Sequence, residues 1–330
     1  MAENRKTEID EGEMIRMAMQ MRAKEYEGLT EAEIAERERQ KELARQNNIG
    51  ILEDTLSALA KGGYEADGQE VCLQHDAAAL GEANVYLPEK LDGMRCKDSA
   101  SGTGCMPQCG CENTDTLALA EKRCRECITA GETPDVLILN MASGTEPGGQ
   151  TRKGAGAQEE DLCRRTSLLM SLESDAASDY YAYNKSVQGR LGTDAIIYSP
   201  HVEVIKDSRA NYLSYPFEVS VISCSAPMVR FGLEGKSPQE YEEMLLRRIE
   251  GMLLVAAENG KSRLILGAFG CGIFGNDAAL VSAQFHKAIQ SFTFRGRTSA
   301  ELFKSIDFAV LCRPGKDYNY KEFCRWFPAG

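Results

Sequence analysis

Positive charge is in short supply in this chain: 38 Lys and Arg face 50 Asp and Glu across 330 residues, a formal net charge of −12. An acidic surface repels polyanions, which argues against a protein that tracks a nucleic-acid backbone by counterion release. Long apolar runs are missing as well. The start, MAENRKTEIDEGEM, has no apolar stretch behind a basic opening, and no later run approaches the ~18 uninterrupted apolar residues of a membrane span. A cytoplasmic protein without a membrane partner is the expectation. Histidine is scarce: His75, His201 and His286 are scattered, belong to no nucleophilic partner motif, and are read as structural. There is no fixed-period repeat, and no low-complexity tract beyond the charged N-terminus.

Cysteine is present in middling amount. Twelve thiols fall far below the ~8–10% density of a disulfide scaffold, so they are expected to be reduced. Cys96, Cys105, Cys109 and Cys111, with Cys124 and Cys127, are the grouping to test for structural zinc. A C-x3-C-x-C run followed by a distant C-x-x-C within a helix is not a standard zinc spacing, so no metal and no cofactor are expected.

What the chain does hold, 43% hydrophobic and 27% charged residues, is enough to build a globular core, and its length suggests one large domain with an appendage, or two domains. From Glu11 to about Arg45 the composition favours two charged helices, and Thr30 with Glu33 makes a capping box. Ile51, Leu52, Thr55, Leu56 and Leu59 then form one helical face that Gly62-Gly63 ends. Residues 1–65 are therefore expected to be an N-terminal helical extension, and 66–330 the main domain. Within it, a cysteine-rich segment through CMPQCGC reads as a loop. After that, apolar runs (DVLILN, DAIIYSP, EVSVIS, RLILGAF, IDFAVL) alternate with helical patterns, including long ones over 238–259 and 277–291. That rhythm predicts an α/β fold with a parallel or mixed sheet covered by helices on both faces.

Ligands in such sheets sit at the carboxyl ends of strands, and two loops there carry chemistry. GAFGCGIFGND has glycines at 267, 270, 272 and 275, a spacing that lets backbone N–H groups approach a phosphate or diphosphate, with Asn276 placed to cap the following helix. Such glycines could equally serve a tight turn. No acidic residue ends the next strand to hold a ribose, so a dinucleotide dehydrogenase is not expected. The other loop follows Asn140 and ends in Glu159, Glu160 and Asp161 at a helix start. Adjacent glutamates on a helix point ~100° apart, so they suit two different roles: a proton donor and an acceptor for sugar hydroxyls. Their mutual repulsion would raise one pKa and the helix terminus would oppose it, or the acids simply complement the helix dipole.

The arrangement Gly148-Gly149-Gln150, seven residues, then Gln158-Glu159-Glu160 resembles the motif of bacterial-type poly(ADP-ribose) glycohydrolases, which have a macrodomain fold. EDTLSAL, TLALA, LNMASGTEPGG, AIIYSPHVEVIKD, EVSVISCSAP and LGAFGCGIFGND resemble that family's blocks in order, over roughly residues 14–330. The resemblance implies exo-type hydrolysis of ribose–ribose O-glycosidic bonds that releases ADP-ribose. Glu160 would be the catalytic acid and Glu159 the ligand of the sugar hydroxyl. Asn140, Gly148, Gly149 and Gln158 would lie about the terminal ribose, Gly270, Gly272, Ile273 and Gly275 about the diphosphate, and Phe274 against the distal ribose. Partners would be poly(ADP-ribose) chain ends and ADP-ribosylated proteins, bound by a monomer. A hydrolase of single ADP-ribose units on protein or nucleobase, or a non-catalytic ADP-ribose reader, are the competing readings. The sequence departs from the family at Gln150, where a third glycine is usual; a side chain there limits positive φ and would narrow the approach to the ribose.

Overall fold

A computed structural model describes residues 25–95 and 105–329, together with Arg16, Met19 and Ala23. Cys96 lies outside the described residues. The chain opens with a long helix, α1 (Glu31–Lys61), started by the Thr30–Glu33 capping box and closed by Gly62 in the left-handed conformation. It runs unbroken through Asn47–Gly50, so the second charged helix and the apolar one expected after it are a single element. Its C-terminal half joins the core: Leu52, Thr55, Ala58 and Leu59 are buried, and Thr55 Oγ1 donates to Arg164 O at 2.6 Å.

A hairpin of β1 (Gly63–Ala66) and β2 (Gln69–Cys72) follows, then α2 (Ala77–Leu80), β3 (Asn84–Tyr86) and α3 (Pro88–Arg95). The main domain continues through β4 (Gln108–Glu112), α4 (Thr116–Thr129), β5 (Val136–Met141), α5 (Gln158–Arg165), α6 (Leu168–Leu172), α7 (Ser178–Ser186), β6 (Ile196–Lys206) and β7 (Tyr212–Cys224). It ends with α8 (Pro238–Glu258), β8 (Arg263–Gly267), α9 (Ala278–Ser291), the two-residue strands β9 (Thr293–Phe294) and β10 (Arg297–Thr298), α10 (Ser299–Leu302), β11 (Ser305–Ala309) and α11 (Tyr318–Cys324).

Seven strands form one mixed sheet in the order β3-β6-β7-β5-β8-β11-β4. The run from β7 to β4 is parallel, and β3-β6-β7 pair antiparallel. Strand period sorts the core onto the two faces. Leu137, Leu139, Ile222, Leu264 and Leu266 pack under α8 and α9, whereas Ile138, Val221 and Ile265 pack with Leu52, Leu119 and Leu162 on the other face. This is the mixed, helix-covered α/β sheet expected of a macrodomain-like fold. Among the described residues no helix is long and apolar enough to cross a membrane.

Two expectations change. CMPQCGC is not a loop, because Gln108–Glu112 forms the edge strand β4, paired parallel with β11. That strand carries Cys111 to one face of the sheet while Cys124 of α4 packs on the other, so these thiols do not converge on one ion. The helix expected over QEEDLCRRTSLLMSL breaks at Thr166, which is extended and bridges Val204 of β6, leaving α5 and α6 as separate short helices.

Candidate active site

The central parallel strands β7, β5 and β8 present their carboxyl ends side by side, and both loops singled out above leave from that edge. After β5 the chain travels outward through Ser143 and Gly149, then returns as α5, whose first turn contains Gln158, Glu159 and Glu160. Gln158 fixes that return. Its Oε1 accepts from Met141 N at 2.8 Å and its Nε2 donates to Leu139 O at 2.6 Å, so its amide extends the hydrogen bonding of β5 and ties the helix to the strand end. Gln158, expected beside the ribose, has both ends of its side chain hydrogen-bonded to the sheet.

Glu159 and Glu160 are 4% and 7% exposed, an unusual placement for two adjacent carboxyls. Glu159 is held on both oxygens: Asn140 Nδ2 donates to Oε1 at 3.2 Å and the Ser143 amide to Oε2 at 2.7 Å. Asn140 is itself fixed through Nδ2 to Ser223 Oγ at 2.9 Å, and its buried Oδ1 has no partner among the described residues. Glu160 differs. Its Oε1 accepts from the Gln150 amide at 3.0 Å, but its Oε2 is buried and meets no hydrogen-bond partner among the described residues. Burial is the main cause that pushes Glu159 up to about 8; the Glu160 charge adds to the rise and the Ser143 and Asn140 donors oppose it. The repulsion expected from sequence is therefore present, with desolvation larger.

Gly149 explains how two carboxyls share so small a space. Its φ is +59°, and a Cβ there would stand 2.6 Å from Glu160 Oε1 and 2.9 Å from Glu159 Oε2. Only glycine satisfies both demands. Gln150, by contrast, has φ −104° and an exposed side chain, so the glycine usual in the family is not required here by backbone conformation. The helix α1 supports the loop from behind, with Asn48 Nδ2 donating to Gly154 O at 3.0 Å.

The loop after β8 is built from main chain. Gly270 has φ +73°, and a Cβ at that position would run into the Asn276 amide and come within 2.7 Å of Ala226 Cβ. Asn276 does not cap α9: its Nδ2 donates to Gly270 O at 3.0 Å and Pro227 O at 2.7 Å while its Oδ1 accepts from Tyr241 Oη, and the cap is Asp277. Phe274 O receives the amides of Val229 and Arg230, which joins this loop to the segment after β7. Inside that frame the consecutive amides of Gly272, Ile273 and Phe274 donate to no acceptor among the described residues. Three free N–H groups in one turn have the form of a nest that can receive an anion. Ile273 is 67% exposed at its rim.

Residues the sequence did not single out complete the frame. Arg248 of α8, 1% exposed, donates to Ser225 O at 2.8 Å and Leu191 O at 3.0 Å and pairs with Asp194, fixing the turn after β7. Ser143 and Ser223 stood in the motif blocks LNMAS and SVISCSAP, yet their roles are an amide and a hydroxyl that only the folded sheet brings to Glu159 and Asn140. His75 and His201, scattered in sequence, meet 4.6 Å apart on another part of the sheet.

The arrangement has counterparts of known structure. Poly(ADP-ribose) glycohydrolase from Thermomonospora curvata is 31% identical, with 86% of this chain and 100% of that chain covered; the TM-score is 0.75 for the structure described by the enzyme's name alone and 0.74 for that bound to the inhibitor ADP-HPD. The Deinococcus radiodurans poly(ADP-ribose) glycohydrolase in complex with ADP-ribose is 30% identical, with 77% and 97% covered and a TM-score of 0.64. No curated protein sequence matches. A family model for the catalytic domain of microbial-type PARG matches residues 52–207, the span that includes α5 and its two glutamates. The chain belongs to the microbial-type poly(ADP-ribose) glycohydrolase family.

Proposed function

We propose that this protein hydrolyses the ribose–ribose O-glycosidic bond at the end of poly(ADP-ribose), releasing ADP-ribose. The observation that carries this reading is the difference between the two buried carboxyls: Glu159 has both oxygens occupied, and Glu160 keeps one oxygen free. The donors on both oxygens of Glu159 favour its charge, against the burial that pushes it up to about 8. Glu160 Oε2 is then the point of delivery. As the bond from the anomeric carbon to the 2′-oxygen breaks, Glu160 gives its proton to that oxygen, and an oxocarbenium-like ribose remains. Water attacks the anomeric carbon, and the Glu160 carboxylate takes its proton back from that water. Asn140 and Glu159 hold the ribose hydroxyls. This is one face and one acid–base residue, unlike glycosidases with carboxylates on opposite faces.

The free amides of Gly272 to Phe274 would take the diphosphate, and Phe274 the distal ribose. A neutral backbone cradle binds one ADP-ribose without a basic groove, which reconciles an anionic ligand with a net charge of −12. That balance gives little hold on the rest of the chain and favours exo over endo cleavage. The same reading treats 1–65 as a helical extension of a catalytic domain over 66–330, with the second half of α1 built against the catalytic loop.

Incubation with poly(ADP-ribose), followed by separation of products, tests the proposal. Free ADP-ribose as the first product supports it. Release only from mono-modified acceptors, binding with no release, or oligomers from internal cuts as the main product would each contradict it.

A further inference from the structure

Remote from this site, two histidines and a glutamate converge without any part in the reaction. His75 follows β2, His201 lies in β6, and Glu218 lies in β7, five residues before Ser223 and so roughly 16 Å from it at ~3.3 Å per residue. The pairing of β6 with β7 shifts register between Ser199 and Val202, and His201 lies within this irregularity. Both imidazoles turn onto one carboxylate oxygen. His75 Nε2 contacts Glu218 Oε2, and His201 Nδ1 lies 3.4 Å from the same atom. The three ligand atoms all fall within 4.8 Å of one another, and all three residues are partly exposed, so an ion can reach them.

The charge around them is unbalanced. Glu203 stands directly opposite Glu218 in register and is fully buried. Its Oε1 accepts the amides of Gln74 and His75 at 2.9 and 2.8 Å, while its Oε2 has no hydrogen-bond partner among the described residues. Like charges facing across an antiparallel pair are destabilising. Among the described residues no Lys or Arg pairs with either carboxylate. Two imidazoles and a carboxylate, backed by a second carboxylate, form a donor set suited to a cation.

We propose that His75, His201 and Glu218 bind a divalent cation of borderline softness, Zn2+ being the best match. Zinc takes nitrogen and carboxylate oxygen at ~2.0–2.2 Å in a tetrahedron, whose edges are then about 3.4 Å, the spacing already present between His201 and Glu218. His75 withdraws slightly and the imidazoles close on the ion, with water as the fourth ligand. The bound ion would pin the Gln74–His75 segment to the sheet. The tie extends further, because the main chain of Glu203 exchanges hydrogen bonds with Ser167, two residues beyond the helix that carries Glu159 and Glu160.

The test is metal content of the full chain after chelation, Zn2+ loading and exhaustive dialysis. The wild type should retain one equivalent more than the His75→Ala/His201→Ala double variant, and Zn2+ should raise the Tm of the wild type alone. Glu218→Gln, which keeps both rings in place, should also lose the equivalent; it serves as the reading if circular dichroism finds the double variant unfolded. Co2+ substitution separates this site from the thiols: a spectrum without thiolate charge-transfer bands is expected. No retained equivalent, an equivalent retained in Glu218→Gln, or thiolate bands in the cobalt protein would overturn the proposal.

Discussion

The two loops at the carboxyl edge of the sheet solve opposite problems with opposite materials. The loop that leads into α5 gathers side chains: two buried carboxyls, an asparagine and a glutamine, held by hydrogen bonds that leave Asn140 Oδ1 and Glu160 Oε2 without partners among the described residues. The loop after β8 offers three main-chain amides. Proton transfer needs a group whose protonation state the surroundings can tune, and burial tunes it. Recognition of a diphosphate needs several donors at fixed spacing and no titration, which the backbone supplies. If this division is right, damage to the first loop should fall on turnover and damage to the second on affinity.

Among changes to the backbone of the two loops, the largest effect expected is from Gly149→Ala. A Cβ pressed between the two carboxyls at positive φ should lower kcat by ~10²–10³-fold, because misplaced catalytic groups cost that much, while ADP-ribose binding measured by calorimetry changes little. A loss of affinity equal to the loss of turnover would erase the distinction between the loops.

Stability against pH comes next. Glu159 holds its proton in the native state up to about 8 but, unfolded, only to about its ordinary 4.5. The native state therefore binds the extra proton between these values, so stability is full below pH 4.5 and is lost as pH rises to 8, by on the order of 5 kcal/mol at ~1.4 kcal/mol per pH unit. Urea unfolding across that range should show the fall in the wild type, and Glu159→Gln should flatten it. An unchanged slope would mean that the pair is not desolvated as described.

In the second loop, Gly270→Ala should weaken ADP-ribose binding ~10-fold, about 1.4 kcal/mol, with kcat at saturation nearly retained, because the distortion reaches the nest and not the glutamates. A kcat defect at saturating substrate would break the comparison. The smallest effect is expected at the boundary position: Gln150→Gly should leave kcat and KM within about threefold, since Gln150 already has negative φ and donates to Glu160 through its backbone amide, which glycine keeps.

The two loops also differed in how far the sequence disclosed them. The glutamates were legible because acids at a helix start after a glycine loop form a compact local pattern, and the family resemblance assigned them roles. The nest was legible as glycines, but its mechanics were not: Asn276 read as a helix cap, whereas Tyr241, Pro227 and Gly270 claim its side chain from three different parts of the chain. The hold of Gln158 on the sheet was hidden for the same reason, since its partners Met141 and Leu139 precede it by a long loop. The strand rhythm from DVLILN onward predicted the sheet correctly. Edge strand β4 escaped because three of its five residues are cysteine or glycine, and its pairing with β11 links segments nearly 200 residues apart. His75 and His201 were invisible as a pair, because a hairpin and a bulged strand bring them together only in the fold.

The central claim is that the free oxygen of Glu160 performs chemistry that binding does not require. It is tested most directly by measuring ADP-ribose release and ADP-ribose affinity on one preparation of Glu160→Gln. Release should fall by ~10²–10⁴-fold, the usual worth of a general acid–base group, with Kd within about threefold of the wild type. Release at the wild-type rate, or a loss of affinity large enough to account for the lost release, would contradict it.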